Sequence, residues 1–311
     1  MKSHKKAPLL AFSSPLLLAP MAGVNDPVFR AICRRMGAGL TYTEMISAKG
    51  LAYNNARTQE MIAGLPEDRP YAVQLFGYEP EVLAEQAHAL EEQLGSDLAL
   101  IDLNMGCPAR KVTSGGSGAA LLLEPELSAR IVAEVSAAIS VPVTIKMRLV
   151  STQSEDTLAF AEKMVKAGAA AIAVHGRTAE QFYTGTADRA IVEQLTSALE
   201  VPIIASGDVF TKADAQEYLE RGARAVMIAR GARGRPWIFA EDEPDLTGII
   251  AIAREHTTRL YNWEPRKHVW MRKHLAWYFK GTPIATSIRK AVQSAVSLED
   301  YLTILDNCEA G

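Results

Sequence analysis

Cysteine is scarce in this 311-residue chain, which has three: Cys33, Cys107 and Cys308. An odd count without CxxC or CxxH spacing indicates neither a disulfide framework nor a zinc site, so no metal is expected and a reducing, cytoplasmic setting is. Long apolar runs are missing as well, and nothing approaches the roughly 20 residues that span a bilayer. The start, MKSHKKAPLLAFSSPLLLAP, has the basic end of a signal peptide, but Pro8, Pro15 and Pro20 interrupt it. It reads as the first strand of a mature chain, with no membrane partner. A GxGxxG after that strand is also absent; APMAGV stands there instead, which argues against an open dinucleotide-binding sheet.

What the chain does have is alternation. Apolar runs of strand length recur at Leu16–Ala19, Leu40–Thr43, Tyr71–Leu75, Leu98–Leu103, Val143–Lys146, Ala171–His175, Ile203–Ser206 and Ala225–Ile228. Between them lie amphipathic segments with helix punctuation: Glu79–Leu94 before Gly95, Pro125–Ile139, Glu155–Ala167 before Gly168, and Thr211–Arg221 before Gly222. Buried strands alternating with helices predict a parallel sheet, and eight such units predict an α/β fold of the (β/α)8 TIM-barrel type.

After about Phe239 the alternation stops and the remainder reads as helix. A catalytic barrel over residues 1–240 and a smaller all-helical domain over 245–311 are therefore expected. Charge divides the chain in the same way. From Arg254 to Lys290 nine Lys and Arg face two acids, a net +7, so the other residues carry −10 of the overall −3. A basic helical segment beside an acidic barrel is the asymmetry expected of a face that meets a polyanion.

The run IDLNMGCPARKVTSGGSGAALL leads from an apolar strand into a turn that carries Cys107. A thiol just past the carboxyl end of a parallel strand lies on the edge where such folds place their chemistry. It reads either as a small buried hydrophobe or as an acid, since an ordinary thiol is protonated at neutral pH and can give up its proton. The glycines of Lys111–Gly118 suit either a lid over the thiol or a plain connection.

Taken in order, LAPMAGVNDPVFR, TEMISAKGL, VQLFG, NMGCP, KMR, HGR, SGD and GRPWIF, followed by MRKHLAWYFKG, resemble the tRNA-dihydrouridine synthases from about Leu17 to Lys290. The resemblance implies an FMN-containing barrel with a helical tRNA-binding domain, using NADPH to reduce particular uridines of tRNA. Cys107 then becomes the proton donor to uracil C5, opposite a hydride from reduced FMN to C6.

Several strand ends acquire roles by the same route. Lys146 matches the family's flavin-contacting lysine and suits the anionic edge of reduced flavin, rather than snorkelling into solvent. His175 can donate to a flavin or substrate carbonyl, and Arg177 can reach phosphate or base. Gln74 offers an amide to the flavin N3/O4 edge, or caps its strand. Pro20, Met21 and Ala22 form the turn expected against the ring. Asn104 either binds the uracil edge or forms the turn. The flavin phosphate is expected at Ser206, Gly207 and Asp208 and at Ala229 and Arg230. Ser206 and Ala229 stand where the family more often has Asn and Gly. Asp208 could bind ribityl hydroxyls or cap a helix.

In the basic segment, reading Arg266–Lys280 as one helix puts Arg266, Trp270, Lys273, Trp277 and Lys280 on one stripe. Cations alternating with indoles suit RNA; alternatively the indoles are buried and only the charges meet solvent. Two competing functions remain: a flavin barrel reducing a small-molecule ene substrate, in the manner of dihydroorotate enzymes, and a non-catalytic RNA-binding protein. No obligate protein partner is expected.

Overall fold

A computed structural model describes residues 12–309, so residues 1–11 of the basic start lie outside the described residues. Eight parallel strands close into a barrel in sequence order: β1 Leu16–Leu18, β2 Leu40–Ser47, β3 Tyr71–Phe76, β4 Leu98–Met105, β5 Val143–Arg148, β6 Ala171–His175, β7 Ile203–Ser206 and β8 Ala225–Ile228, with β8 paired back to β1. The expected strands are all present. β2, β3, β4 and β5 run further than expected at their carboxyl ends, where polar and apolar residues alternate and continue the ladder.

The helices form where punctuation allows. Asp26 caps Pro27–Arg35 by accepting from the Phe29 amide, with Pro27 in the first turn, where it lacks only a donor the helix does not use. Thr211 and Asp214 form a reciprocal capping box before Lys212–Glu220. Gly168 and Gly222 follow their helices at φ 115° and 91°, a backbone that residues with a Cβ adopt only with strain.

Strand side chains alternate between two faces, and this periodicity builds the site. Outward residues such as Val73, Ile101, Ile145, Ile172 and Ala205 join the apolar layer under the helices. Inward residues at the amino-terminal end, Leu17, Tyr42, Ala72, Leu100, Ala171, Ala173, Ile204 and Ala225, fill the barrel floor. Two residues further along the same faces the identity changes: Ala72 gives way to Gln74, Leu100 to Asp102 and Asn104, Ala173 to His175, and Ile204 to Ser206. The barrel is thus apolar at its base and polar at its mouth.

Beyond the short turn of helix Pro236–Phe239 the described chain is helical, beginning at Leu246–Trp263. These helices gather Ile250, Leu260, Met271, Leu275, Tyr278, Phe279, Tyr301 and Leu305 into a second apolar cluster that includes Val28 and Ile32 of the helix Pro27–Arg35. The helical region is therefore packed on the first barrel helix. Among the described residues no helix is long and apolar enough to cross a membrane.

Candidate active site

A cavity of about 350 Å³ opens at the carboxyl ends of the strands, within the size range of small-molecule sites. Its lining brings together Pro20, Met21, Ala22, Gln74, Asn104, Cys107, Lys146, His175, Ser206, Gly207, Asp208, Ala229 and Arg230. Arg177, Arg266, Trp270, Lys273 and Lys280 are not part of that lining.

One side is a hydrogen-bonded chain across three strands. Thr144 on β5 donates to Asp102 Oδ1 at 2.6 Å, and Gln74 Nε2 donates to Asp102 Oδ2 at 2.7 Å. Asn104 Nδ2 then donates to Gln74 Oε1 at 2.8 Å. Asn104 Oδ1 accepts the backbone N–H groups of Gly106 at 3.2 Å and Cys107 at 3.0 Å. Asn104 is thus a turn former that fixes the backbone of the thiol-bearing residue. Burial pushes the Asp102 carboxyl up to about 6 despite the two donors.

The glycine-rich segment takes a definite form behind the thiol. After a short helix Arg110–Thr113, the Ala119 amide donates to the Cys107 carbonyl at 3.0 Å. Gly118, at φ 62°, packs so closely that a Cβ there would lie 2.7 Å from the Cys107 carbonyl oxygen. None of residues 110–118 lines the cavity, so the segment buttresses Cys107 instead of covering it.

The opposite side is cationic. Burial, with Arg148 adding to it, pulls the Lys146 ammonium down to about 8. Arg148, two residues on and so on the same face, donates to the carbonyls of Gly106 at 3.0 Å and Thr178 at 2.9 Å, tying the Cys107 turn to the next loop. Burial together with Lys146, Arg148 and Arg177 holds His175 down to about 2, which keeps the imidazole neutral. Arg177 Nη1 lies 3.3 Å from His175 Nε2; since guanidinium only donates, Nε2 is the acceptor and Nδ1 carries the proton.

Arg177 departs from its expected contact with phosphate or base. It is 1% exposed, and its five N–H groups go to Thr184 O, Gly185 O, His175 Nε2 and both oxygens of Asp208. Asp208 departs from both of its readings. At φ 48° it binds Arg177, the Ala187 amide and Arg230 Nη2, leaving neither a helix cap nor a free carboxylate for hydroxyls. Arg230, held at 2.8 Å by Asp208, lies between the Tyr183 ring, 4.4 Å from its centroid, and the Phe210 ring at 5.3 Å. Tyr183, Phe210 and Arg148 went unrecognised in the sequence. The signal for Arg148 was its spacing from Lys146, and for Tyr183 an aromatic pair before a glycine in the loop after β6.

These walls fit a flat anionic group of the kind FMN presents. Lys146 makes no salt bridge among the described residues, although Asp102 acts on it through space, and neutral His175 supplies a donor. Glycine is required behind the far wall: a Cβ on Gly207 would lie 2.8 Å from His175 Cδ2, and one on Gly231 would lie 2.2 Å from the Val209 carbonyl oxygen. Ser206, Gly207, Ala229 and Arg230 meet there, at the ends of β7 and β8.

The expected basic stripe takes another form. Pro265 starts a tight helical turn, Pro265–Trp270, and the α-helix proper is Met271–Tyr278, so Arg266 to Lys280 is not one continuous helix. Arg266 is paired with Glu264 at 2.7 Å and Glu60 at 3.0 Å. Lys267 sits over Trp263 and Trp270, at 4.3 and 5.0 Å from their ring centroids. Trp277 is half-buried against the barrel, with Arg233 over its ring at 4.9 Å. Lys273 turns inward to the Gly23 carbonyl, and Lys280 is exposed.

Comparison with known proteins gives one consistent result. The family model described as dihydrouridine synthase matches residues 17–310. A tRNA-dihydrouridine synthase B of Xanthomonas axonopodis pv. citri is 38% identical over 304 residues, covering 93% of this chain and 91% of the relative. Another from Pseudomonas aeruginosa is 38% identical over 290 residues, covering 88% and 86%. A probable tRNA-dihydrouridine synthase of Rhizobium leguminosarum bv. phaseoli is 40% identical over 277 residues, covering 85% of each chain.

Proposed function

The chain belongs to the dihydrouridine synthase family, and from that premise we propose that it is an FMN enzyme reducing particular uridines of tRNA to 5,6-dihydrouridine, with NADPH as the electron source. The observation that carries the reading is the meeting of Cys107, Lys146 and neutral His175 on one cavity at the barrel mouth. Action on tRNA also implies a cytoplasmic enzyme.

Saturating the uracil C5=C6 bond takes a hydride at C6, the carbon β to the C4 carbonyl, and a proton at C5. Bound FMN, once reduced, supplies the hydride from N5. The rest is the work of this chain. Cys107 Sγ holds the proton for C5, and Asn104 fixes the thiol by gripping the Gly106 and Cys107 amides. Lys146 would hold the N1/C2=O edge of a bound flavin with its positive charge. His175 Nδ1–H donates to a carbonyl oxygen of flavin or base, held by Arg177 on its other nitrogen. Gln74, which donates to Asp102, would hold the N3/O4 edge of a bound flavin, and Pro20, Met21 and Ala22 would flank its ring. Ser206, Gly207, Ala229 and Arg230 receive the phosphate end.

A uridine inside folded tRNA reaches this cavity by leaving its stack. Exposed Tyr183 gives the displaced base a π face at the mouth. We assign the helices from Leu246 onward to tRNA docking, with Lys280 as an exposed phosphate contact. Arg266 and Trp270 are further candidate contacts on the same helical region, Arg266 once the RNA displaces Glu264 and Glu60.

The test is to map dihydrouridine in tRNA from cells with the gene intact, deleted, or replaced by the Cys107→Ala form. The expected result is loss of dihydrouridine at defined positions in the latter two. Equal levels in all three would overturn the assignment.

A further inference from the structure

The loop after β1 lines the cofactor cavity with Pro20, Met21, Ala22 and Val24, and Val24 and Met21 also pack on the apolar layer of the barrel. Its own bonds are three: the Val24 and Asn25 amides both return to the Met21 carbonyl at 3.2 Å, and the Asp26 amide returns to the Val24 carbonyl at 2.9 Å. The barrel domain reaches it from several sides. Asn25 Nδ2 donates to the carbonyls of Ala19 and Tyr42 at 2.8 Å each, Arg30 Nη1 donates to the Asn25 carbonyl at 3.0 Å, the Phe29 amide donates to Asp26 Oδ1 at 2.9 Å, and the Glu44 carboxylate accepts the Gly23 amide. The remaining grips come from the C-terminal helices. Lys273 donates to the Gly23 carbonyl, and its ammonium lies 4.9 Å from the Trp270 ring centroid and 6.0 Å from that of Trp277. Next to it, His274 Nε2 lies 3.4 Å from Asp26 Oδ2, while His256 Nε2 lies 3.1 Å from the same oxygen.

Gly23 is the centre of this arrangement. It sits at φ 72°, its N–H goes to Glu44 and its C=O to Lys273, and a Cβ there would lie 3.2 Å from Lys273 Nζ. Glu44 and Lys273 grip opposite ends of one residue immediately after the stretch that borders the cavity. Burial raises the Glu44 carboxyl and lowers the Lys273 ammonium, so neither is an ordinary surface charge. A cation serving RNA phosphate would project into solvent, as Lys280 does.

We propose that Lys273 is a positioning residue for the cofactor site: by clasping the Gly23 carbonyl, the C-terminal helices hold the Pro20–Asp26 loop as the wall against which the flavin lies. The helical region is then a structural part of the active site as well as a docking surface. This inference rests on the flavin reading above for the identity of the ligand, though not for the clasp.

The test uses the full-length protein. Lys273→Met keeps the side-chain stem and removes the donor; Lys273→Arg restores a donor; Lys280→Met is the exposed control. Hydrogen exchange of residues 20–26 in flavin-free protein reads the clasp, and FMN fluorescence on dilution reads its effect on the cofactor. Lys273→Met is expected to speed both exchange of that loop and FMN release by about tenfold, the factor one hydrogen bond to a charged group supplies. Lys273→Arg should recover most of the loss, and Lys280→Met should change neither. Wild-type exchange and release in Lys273→Met, with only the KM for tRNA raised, would overturn the proposal and return Lys273 to the RNA surface. If Lys273→Met does not fold, Glu44→Gln keeps an acceptor but removes the charge that draws the ammonium inward, and wild-type behaviour there overturns the proposal equally. Wild-type protein that takes up no FMN would sink the flavin reading alone, because the exchange measurement still decides the clasp.

Discussion

Replacing Asn104 by Ala isolates the contribution of the Cys107 turn. The change removes the acceptor of two backbone N–H groups, at 3.2 and 3.0 Å, and the donor to Gln74 Oε1 at 2.8 Å. At a net value of about 1 kcal/mol each, the three bonds total about 3 kcal/mol, and water entering from the cavity should restore part of that, leaving a stability loss of about 2 kcal/mol. The effect on rate should be larger than stability suggests, since a displacement near 1 Å of a catalytic group costs about 10²-fold. Two assays separate the effects. Single-turnover reoxidation of the reduced flavin enzyme by unmodified tRNA should slow by about two orders of magnitude with little change in tRNA affinity. Alkylation of Cys107, followed on its own peptide, should accelerate because the half-buried thiol is released from its turn. A variant with weakened tRNA binding but unaltered alkylation and turnover would refute the turn assignment and make Asn104 a uracil contact.

Other substitutions probe the remaining walls. Lys146 acts as a cation with its ammonium pulled down to about 8, so kcat/KM should fall as pH rises through about 8, and Lys146→Arg, which stays charged, should lose that limb. Arg177→Lys cannot reproduce five donors in a fixed fork and should cut kcat about tenfold or more while leaving tRNA KM unchanged, measured by steady-state kinetics. Burial pushes the Asp26 carboxyl up, but His256, its hydrogen bond and His274 overcome that and hold it well below the carboxylate range. Its stabilisation is therefore complete above about pH 4 and is lost only as pH falls through the lowered value. Asp26→Asn should cost about 3–5 kcal/mol at neutral pH, read from urea unfolding midpoints, and that cost should shrink in strong acid.

The sequence was informative wherever one chain segment determined the outcome. The strands were legible because each is a continuous apolar run buried on both sides, and the cavity residues because they stand at the carboxyl ends of those runs. Period-two spacing marks two further residues of the site: Asp102 lies two residues before Asn104, and Arg148 two after Lys146, on the same faces. Pairings between distant segments were not legible. Nothing local indicates that Arg177 spends its donors on Asp208, 31 residues away, or that Lys273 reaches Gly23, 250 residues away. The basic stripe misled for the same reason. Only two acids stand against its charges within the segment, but Arg266 and Lys267 both pair with Glu60, far back in the chain.

The central claim is that the cavity at the barrel mouth passes a hydride and a proton to a uridine of tRNA, with Cys107 as the acid. The most direct measurement loads the purified protein with FMN, reduces it without oxygen, and adds unmodified tRNA, following flavin colour and the mass of the RNA. The account predicts one round of flavin reoxidation matched by gain of two hydrogens in a single tRNA uridine, no reaction with free uracil or orotate, and a large loss of rate in Cys107→Ala. Reoxidation by orotate but not by tRNA, or full activity in Cys107→Ala, would contradict it.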